Sequence, residues 1–397
     1  MSSRASKTRF PAFSVPSGLP QFVPVQAVIL AAELLLAIPV GWLLTRIWQG
    51  GIVWIMGGAV SGVLVLYAAQ WFYTYTAKPN ATARKLGQAL VGMAIGFCIV
   101  HSNLVAIAPD LPIFTLLTLF LLLSGMAIGY LYSRFSQTNL LTALLATVPG
   151  GVSIMSSLAA EYGKNVALVA LVQIIRVTMV IVLIPLLARA SVESVSIAPP
   201  AFDFAHLIHW QIADLSYLAF ALGLTTLTTL LLTRWKVPAA PFVAGLIVGV
   251  GFNAGLNALT SPLDMLPAID FTPPPLVSLL GQILLGVTIG EYWGNKPKVS
   301  RNAILYALVS VGLTLLAGLL ATGLAMQLTG WDWLTCLLIT APGGAPEMIL
   351  VALSLNHNVE LVTAGHLVRL LAINASLPLW VYVFRTLDRR LTPVSSQ

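Results

Sequence analysis

Apolar runs of membrane-spanning length fill the chain, and the short polar gaps between them predict twelve helical segments. These are 26–45, 53–73, 86–105, 112–133, 138–161, 165–188, 213–232, 238–258, 275–293, 302–326, 333–354 and 358–384. Most approach the roughly 20 residues that a helix needs to cross a hydrocarbon core. The fifth and eleventh differ, because each is cut by a breaker: Val148-Pro149-Gly150-Gly151 in one, Ala341-Pro342-Gly343-Gly344 in the other. Proline removes a backbone donor and glycine favours leaving the helix. Each half is then a helix of roughly 15 Å, half a bilayer. Such a segment is either a broken helix that still crosses or a re-entrant hairpin that turns back at mid-depth.

The two breakers belong to a longer internal repeat. Gln173-x-x-Arg176 returns as His366-x-x-Arg369, and Pro185 returns as Pro378. Leu86-Gly87-Gln88, with Gly92 and Gly96, returns as Leu280-Gly281-Gln282, with Gly286 and Gly290. Leu43-Leu44-Thr45-Arg46 returns as Leu231-Leu232-Thr233-Arg234. The order is the same in both copies, so the chain reads as a duplication. It divides into a tail (1–25), a first membrane repeat (26–188), a linker (189–212), a second repeat (213–385) and a C-terminal tail (386–397).

Composition places this pattern in lipid. The chain is 58% hydrophobic and 8% charged, against about a quarter charged in a soluble domain. Mean hydropathy is +0.92. The net charge of +7 comes from lysines and arginines set singly between apolar runs, where the positive-inside rule accounts for them and nucleic-acid binding does not. Cys98 and Cys336 both lie in apolar segments, which gives no sign of a disulfide or redox site. Residues 1–25 are basic and Pro/Ser-rich, with no small-residue cleavage site after the first apolar run; they read as a cytoplasmic tail.

Charge placement also bears on the breakers. If all twelve segments cross with the N-terminus inside, eleven Lys and Arg fall inside and seven outside. If the two Pro-Gly-Gly segments are re-entrant, sixteen fall inside and two (Arg46 and Arg189) outside, leaving Arg176 and Arg369 within the membrane. The second count obeys the rule far better. It gives each half five crossings, so the copies are inverted, a frequent secondary-transporter architecture with sites near the midplane. The fold class expected is an all-α polytopic membrane protein. It has two inverted repeats, each of five transmembrane helices and one Pro-Gly-Gly hairpin or broken helix. Both termini are cytoplasmic, in a plasma membrane of the bacterial inner type.

Candidate chemistry gathers at the breakers. An arginine at mid-membrane costs a few kcal/mol on insertion scales and must face protein, water or a partner. Gln173 and His366 sit one turn before Arg176 and Arg369, on the same helix faces. Half-helices starting after Gly150-Gly151 and Gly343-Gly344 would aim backbone N–H groups inward, toward an anion. Ser153 follows the first turn, with Ser156 and Ser157, and Glu347 follows the second. Together these suggest a substrate site for a small anionic or zwitterionic solute. Glu347 would couple a proton or cation, or pair with Arg369. The competing reading is structural: the arginines clamp the hairpin carbonyls, and Glu347 is an ordinary acidic residue at a helix start.

Other polar residues carry less. Glu33 faces Ala221 in the repeat alignment and reads as a protonated core residue or a coupling site. Glu291, near a segment end, is expected to reach water. His206 and His209 lack partners for a metal set, and no metal or cofactor is expected. Gly57, Gly58, Gly92, Gly96, Gly245 and Gly249 suit close helix packing. Trp54, Trp71, Trp210, Trp293, Trp331, Trp333 and Trp380 suit an interfacial belt.

At these residues the chain resembles the membrane AbrB family, also called the AbrB-duplication family. The first copy matches in Pro-Gly-Gly followed by Met155, Ala159-Ala160-Glu161-Tyr162-Gly163, Leu168-Val169-Ala170 and Gln173-x-x-Arg176. The second matches in Pro-Gly-Gly-Ala345-Pro346-Glu347-Met348 and His366-x-x-Arg369. The resemblance spans about 25–387. It implies a protein of the kind labelled a regulator of gene expression or an ammonia monooxygenase. Nothing here resembles the small soluble DNA-binding protein that shares the family name, since no basic soluble domain exists to enter a groove. Five scattered histidines supply no oxygenase metal cluster. The leading expectation is therefore a transporter or exporter, not an enzyme, whose partners are the lipid bilayer and a small solute. A membrane regulator acting indirectly on gene expression is the alternative, and homo-oligomerisation stays open.

Overall fold

The computed structural model describes residues 25–47, 52–73, 79–100, 104–191, 212–260, 270–294, 300–355 and 357–391. Residues 1–24 of the expected N-terminal tail, 392–397 of the C-terminal tail, and the linker from 192 to 211 with His206, His209 and Trp210 lie outside them. All regular structure among the described residues is helical, without strands.

The first half holds α1 (Val25–Ile47), α2 (Val53–Tyr73), α3 (Ala81–Ile99), a 3-10 turn (Leu104–Asp110), α4 (Leu111–Ser136), α5 (Leu140–Thr147), α6 (Val152–Glu161) and α7 (Val166–Ser191). The second half holds α8 (Ile212–Arg234), α9 (Ala240–Thr260), α10 (Pro275–Gly294), α11 (Arg301–Leu328), α12 (Trp333–Thr340), α13 (Ala345–Ser354) and α14 (Val359–Leu391). Nine helices among the described residues are long and apolar enough to cross a membrane. α3 is not one of them, because Arg84 and Lys85 dilute its first turns. α7 and α14 run past the repeat ends at 188 and 385 that hydropathy alone marks.

Both Pro-Gly-Gly segments turn back on themselves. Asn139 caps α5 by accepting the N–H bonds of Leu141 and Thr142. α5 stops before Pro149, and the chain turns through Gly151 at φ +82°, a left-handed conformation that a Cβ disfavours. α6 then returns to the starting side. The proof is one carboxylate: Asp388 Oδ2 accepts from Asn139 Nδ2 and from Lys164 Nζ, each at 3.1 Å, and these residues flank the two ends of the segment. A crossing segment would hold its ends roughly 30 Å apart. Asp332 closes the second hairpin alike, contacting His357 Nε2 at 2.7 Å and Asn358 Nδ2 at 3.4 Å. The mouths lie at opposite ends of the 33-residue α14, one beside Asn358 and the other at Asp388.

The helices form two bundles, each drawn from both halves. One contains α1–α3 and α8–α10; the other contains α4–α7 and α11–α14. They meet chiefly where α3 touches α13 and α10 touches α7. The first bundle is held by close backbone contact. A Cβ on Gly58 or Gly62 of α2 would strike the α10 backbone at Ile283, Val287 and Gly290. A Cβ on Gly245 or Gly249 of α9 would strike α3 at Ala89, Met93 and Gly96. These contacts exchange into one another when repeat positions are swapped, as an isologous interface does. Gly87 packs against Gly281, its own repeat mate. The tryptophan belt needs correction: Trp54 and Trp380 are buried, because both pack into hydrophobic clusters between helices.

Candidate functional site

A break at mid-membrane strands the last carbonyls of a half-helix where no water can satisfy them. The Gln-x-x-Arg motif solves this for α5. Gln173 Nε2 donates to the carbonyls of Leu145, Ala146 and Val148, each at 3.0 Å. Arg176 donates from Nη1 to Thr147 O at 3.2 Å and from Nη2 to Gln173 Oε1 at 2.6 Å. The His-x-x-Arg motif does the same for α12. Arg369 donates from Nη1 to Ala341 O at 2.7 Å and from Nη2 to Gly343 O at 2.9 Å. His366 Nε2 lies 2.9 Å from Leu338 O, and its Nδ1 lies 2.7 Å from Arg369 Nη2. A carbonyl only accepts and a guanidinium only donates. His366 is therefore neutral, with its proton on Nε2.

Both clamps border one cavity of about 230 Å³ between the two bundles. From one bundle it is lined by Gly150, Gly151, Arg176, Gly343, Gly344, Glu347, His366 and Arg369; from the other, by Arg84, Gln88, Thr288 and Tyr292. Apolar Phe242, Leu285, Ile289 and Ile373 complete the wall. The N-termini of α6 and α13 open toward it, since Gly151–Val152 and Gly344–Ala345 lie on its surface. Arg176 Nε is buried without a hydrogen-bond partner. Among the described residues no acidic side chain forms a salt bridge with Arg176 or Arg369, and the Glu347–Arg369 pair expected as one option is not formed. The Glu347 carboxylate instead folds over Gly344, into space a Cβ would occupy, and its Oε2 is buried without a partner. Among the described residues, three arginines and one acidic residue line the cavity.

One expected residue stands elsewhere. Gln173 is fully buried behind the wall, its amide spent on the α5 carbonyls. Ser153 occupies the first turn of α6, but its side chain lies outside the described residues. Arg84 is the main residue the sequence reading missed. Counted there as an interior loop charge, it reaches the cavity from α3. Gln88 was the available signal, since it belongs to the repeated Leu-Gly-Gln. Glu291 also departs from expectation: it is 3% exposed, enclosed by the close α2–α10 contact. No group of three or more His, Cys, Asp or Glu among the described residues could hold a metal ion.

Known proteins resemble this chain over most of its length. Residues 54–385 match the model of a family described as transition state regulatory protein AbrB. "Uncharacterized protein YhjN" of Bacillus subtilis (strain 168) is 30% identical over 306 residues, covering 74% of this chain and 76% of that protein. "Putative regulator AbrB" of Escherichia coli (strain K12) is 24% identical over 294 residues, covering 72% and 78%. The family match takes in both hairpins, both clamps and the cavity between them. The chain belongs to the membrane AbrB family.

Proposed function

We propose that this protein is a secondary transporter or exporter of a small anionic or zwitterionic solute, and not an enzyme. One observation carries the reading: two hairpins with mouths at opposite ends of α14 present their tips, paired arginines and helix N-termini to one cavity between two bundles. Inverted repeats with half-helices meeting at a midplane site are a common means of alternating access. The solute's negative group would sit against Arg84, Arg176 and Arg369. Glu347 would take the ammonium of a zwitterion or a coupling proton. The setting proposed is a bacterial plasma membrane with both termini cytoplasmic. No resident cofactor enters this reading.

The test is a thermal-stability screen of purified protein with small carboxylates, amino acids and inorganic anions. A solute that binds only the native state at a hundred times its Kd stabilises it by about 2.7 kcal/mol. Arg84→Gln is the informative variant, because Arg84 reaches the cavity from α3, on the bundle opposite the two clamps. The expected result is a ligand shift in wild type that is reduced in Arg84→Gln, followed by flux of that solute into vesicles. Binding without flux would instead favour a membrane sensor, the reading suggested by the regulator name of the Escherichia coli relative. A transporter whose cargo alters gene expression reconciles the two.

A further inference from the structure

The first bundle contains two versions of one helix junction, and only one is charged. At the junction of α1, α2 and α10, Glu33 is completely buried and neither of its carboxylate oxygens has a hydrogen-bond partner. The hydroxyl of Ser61 on α2 donates to the backbone carbonyl of Glu33. The next residue, Gly62, packs on the backbone nitrogen of Glu291 on α10. Glu291 is buried as well, and its Oε2 accepts the N–H of Asn80 at 2.6 Å. Ser61 and Gly62 are neighbours, so both acidic residues pack on the same turn of α2.

The repeat supplies an internal control. Where one junction has Glu33, Ser61 and Glu291, the other has Ala221, Val248 and Phe97. Those three pack together in a single hydrophobic cluster. The equivalence is structural as well as sequential: Gly62 against Glu291 N matches Gly249 against Phe97 N. The architecture therefore closes with apolar side chains at these positions. Two buried carboxyls there are not required by the packing, and a buried charge without a partner is costly.

Among the described residues no cation forms a salt bridge with either carboxyl. α2 has no Asp, Glu, Lys, Arg or His. The only basic residue of α1 is Arg46 in its last turn, set over Trp42, and α10 carries no charge besides Glu291. On α3, Arg84 lines the cavity and Lys85 is exposed. On α7, Arg176 is committed to the hairpin. Two like carboxyls confined this way cannot both ionise without large cost.

We propose that Glu33 and Glu291 form a proton-binding site, distinct from Glu347, in which the pair shares one exchangeable proton. Asn80, half-buried at the start of α3, gives Glu291 its way to water. Thr288 and Tyr292, on either side of Glu291 in α10, line the central cavity. Loss of the proton at the junction is thereby placed one helix away from the solute site. The proposal does not depend on what the cavity binds.

The test is pH-difference infrared spectroscopy of reconstituted protein without added solute, reading the carbonyl stretch of a protonated carboxyl. Wild type should show a band that bleaches at alkaline pH. Glu347→Gln should retain it, whereas Glu33→Gln/Glu291→Gln should lack it. Glu33→Ala/Glu291→Phe, which copies the other repeat, should fold and also lack it; the Gln pair keeps the test decisive if that variant does not fold. An unchanged band in the Gln pair would overturn the proposal. So would a wild type without the band that sodium stabilises, which would assign the pair to a metal cation. A failed solute screen leaves this result standing, and the reverse also holds.

Discussion

His366 shows how tightly a polar side chain buried between helices is specified. Both ring nitrogens are engaged, one with the Leu338 carbonyl and one with Arg369 Nη2. Its repeat mate Gln173 meets the same two demands with an amide, donating to carbonyls and accepting from Arg176. His366→Gln should thus be tolerated, with a melting temperature within a few degrees of wild type, because glutamine can donate at Leu338 and accept from Arg369. His366→Leu fills similar space but orphans a buried carbonyl and an arginine N–H, each costing about 1–3 kcal/mol. Thermal unfolding of the two variants side by side checks this; equal loss in both would mean that ring packing matters more than the hydrogen bonds. At this scale the sequence was informative where chemistry repeats. The Gln-x-x-Arg and His-x-x-Arg motifs were visible, and so was the option that they clamp carbonyls. Arg84 was not, since a loop-edge arginine looks the same whether it points to solvent or into a cavity. The burial of Glu291 was hidden for the converse reason: depth depends on a close helix contact that hydropathy does not register.

The hairpins are packed elements whose ends are also pinned by polar contacts. Asp332 both caps α12, through the N–H of Thr335, and ties the returning chain through His357. Burial pushes its carboxyl up, but the Thr335 hydroxyl and N–H, together with His357, outweigh that and bring it from 3.8 down to about 2. A depressed carboxyl contributes stability above its unfolded value and loses it as pH falls through its folded value. The mouth of the second hairpin should hold above pH 4 and loosen as pH drops toward 2. Pepsin cleavage around His357 should rise across that window in wild type, and Asp332→Asn should be cleaved faster at its upper end. Equal cleavage of the two at every pH would show that the contact does not hold the mouth closed. Charge counting favoured turning back, because lysines and arginines report which side a loop occupies, but it left a broken crossing helix open. The pinning residues were not legible, for they come together only when distant ends meet.

At the level of the molecule, two bundles share a cavity and little else. The division was not legible along the chain, because each bundle takes helices from both repeats and the sequence shows only their order. The repeat itself told more than its length suggests: it fixed which glycines exchange roles between α2–α10 and α3–α9, and it exposed the one junction where carboxyls replace apolar residues. If the cavity serves alternating access, one bundle must shift against the other, and the contact between α10 and α7 must change. Trp293 Nε1 donates to Thr178 Oγ1 at 2.8 Å across that contact. Cysteines at 178 and 293, with Cys98 and Cys336 replaced by alanine, could be joined by a short bis-methanethiosulfonate reagent. Joining them should abolish flux of whichever solute the screen identifies, reductant should restore it, and the ligand-induced thermal shift should remain in the linked protein. Those three results separate motion from binding, because a lock between bundles blocks a movement without occupying the site. Flux that persists in fully linked protein would mean that this contact does not move, and relative motion would then have to be sought where α3 meets α13.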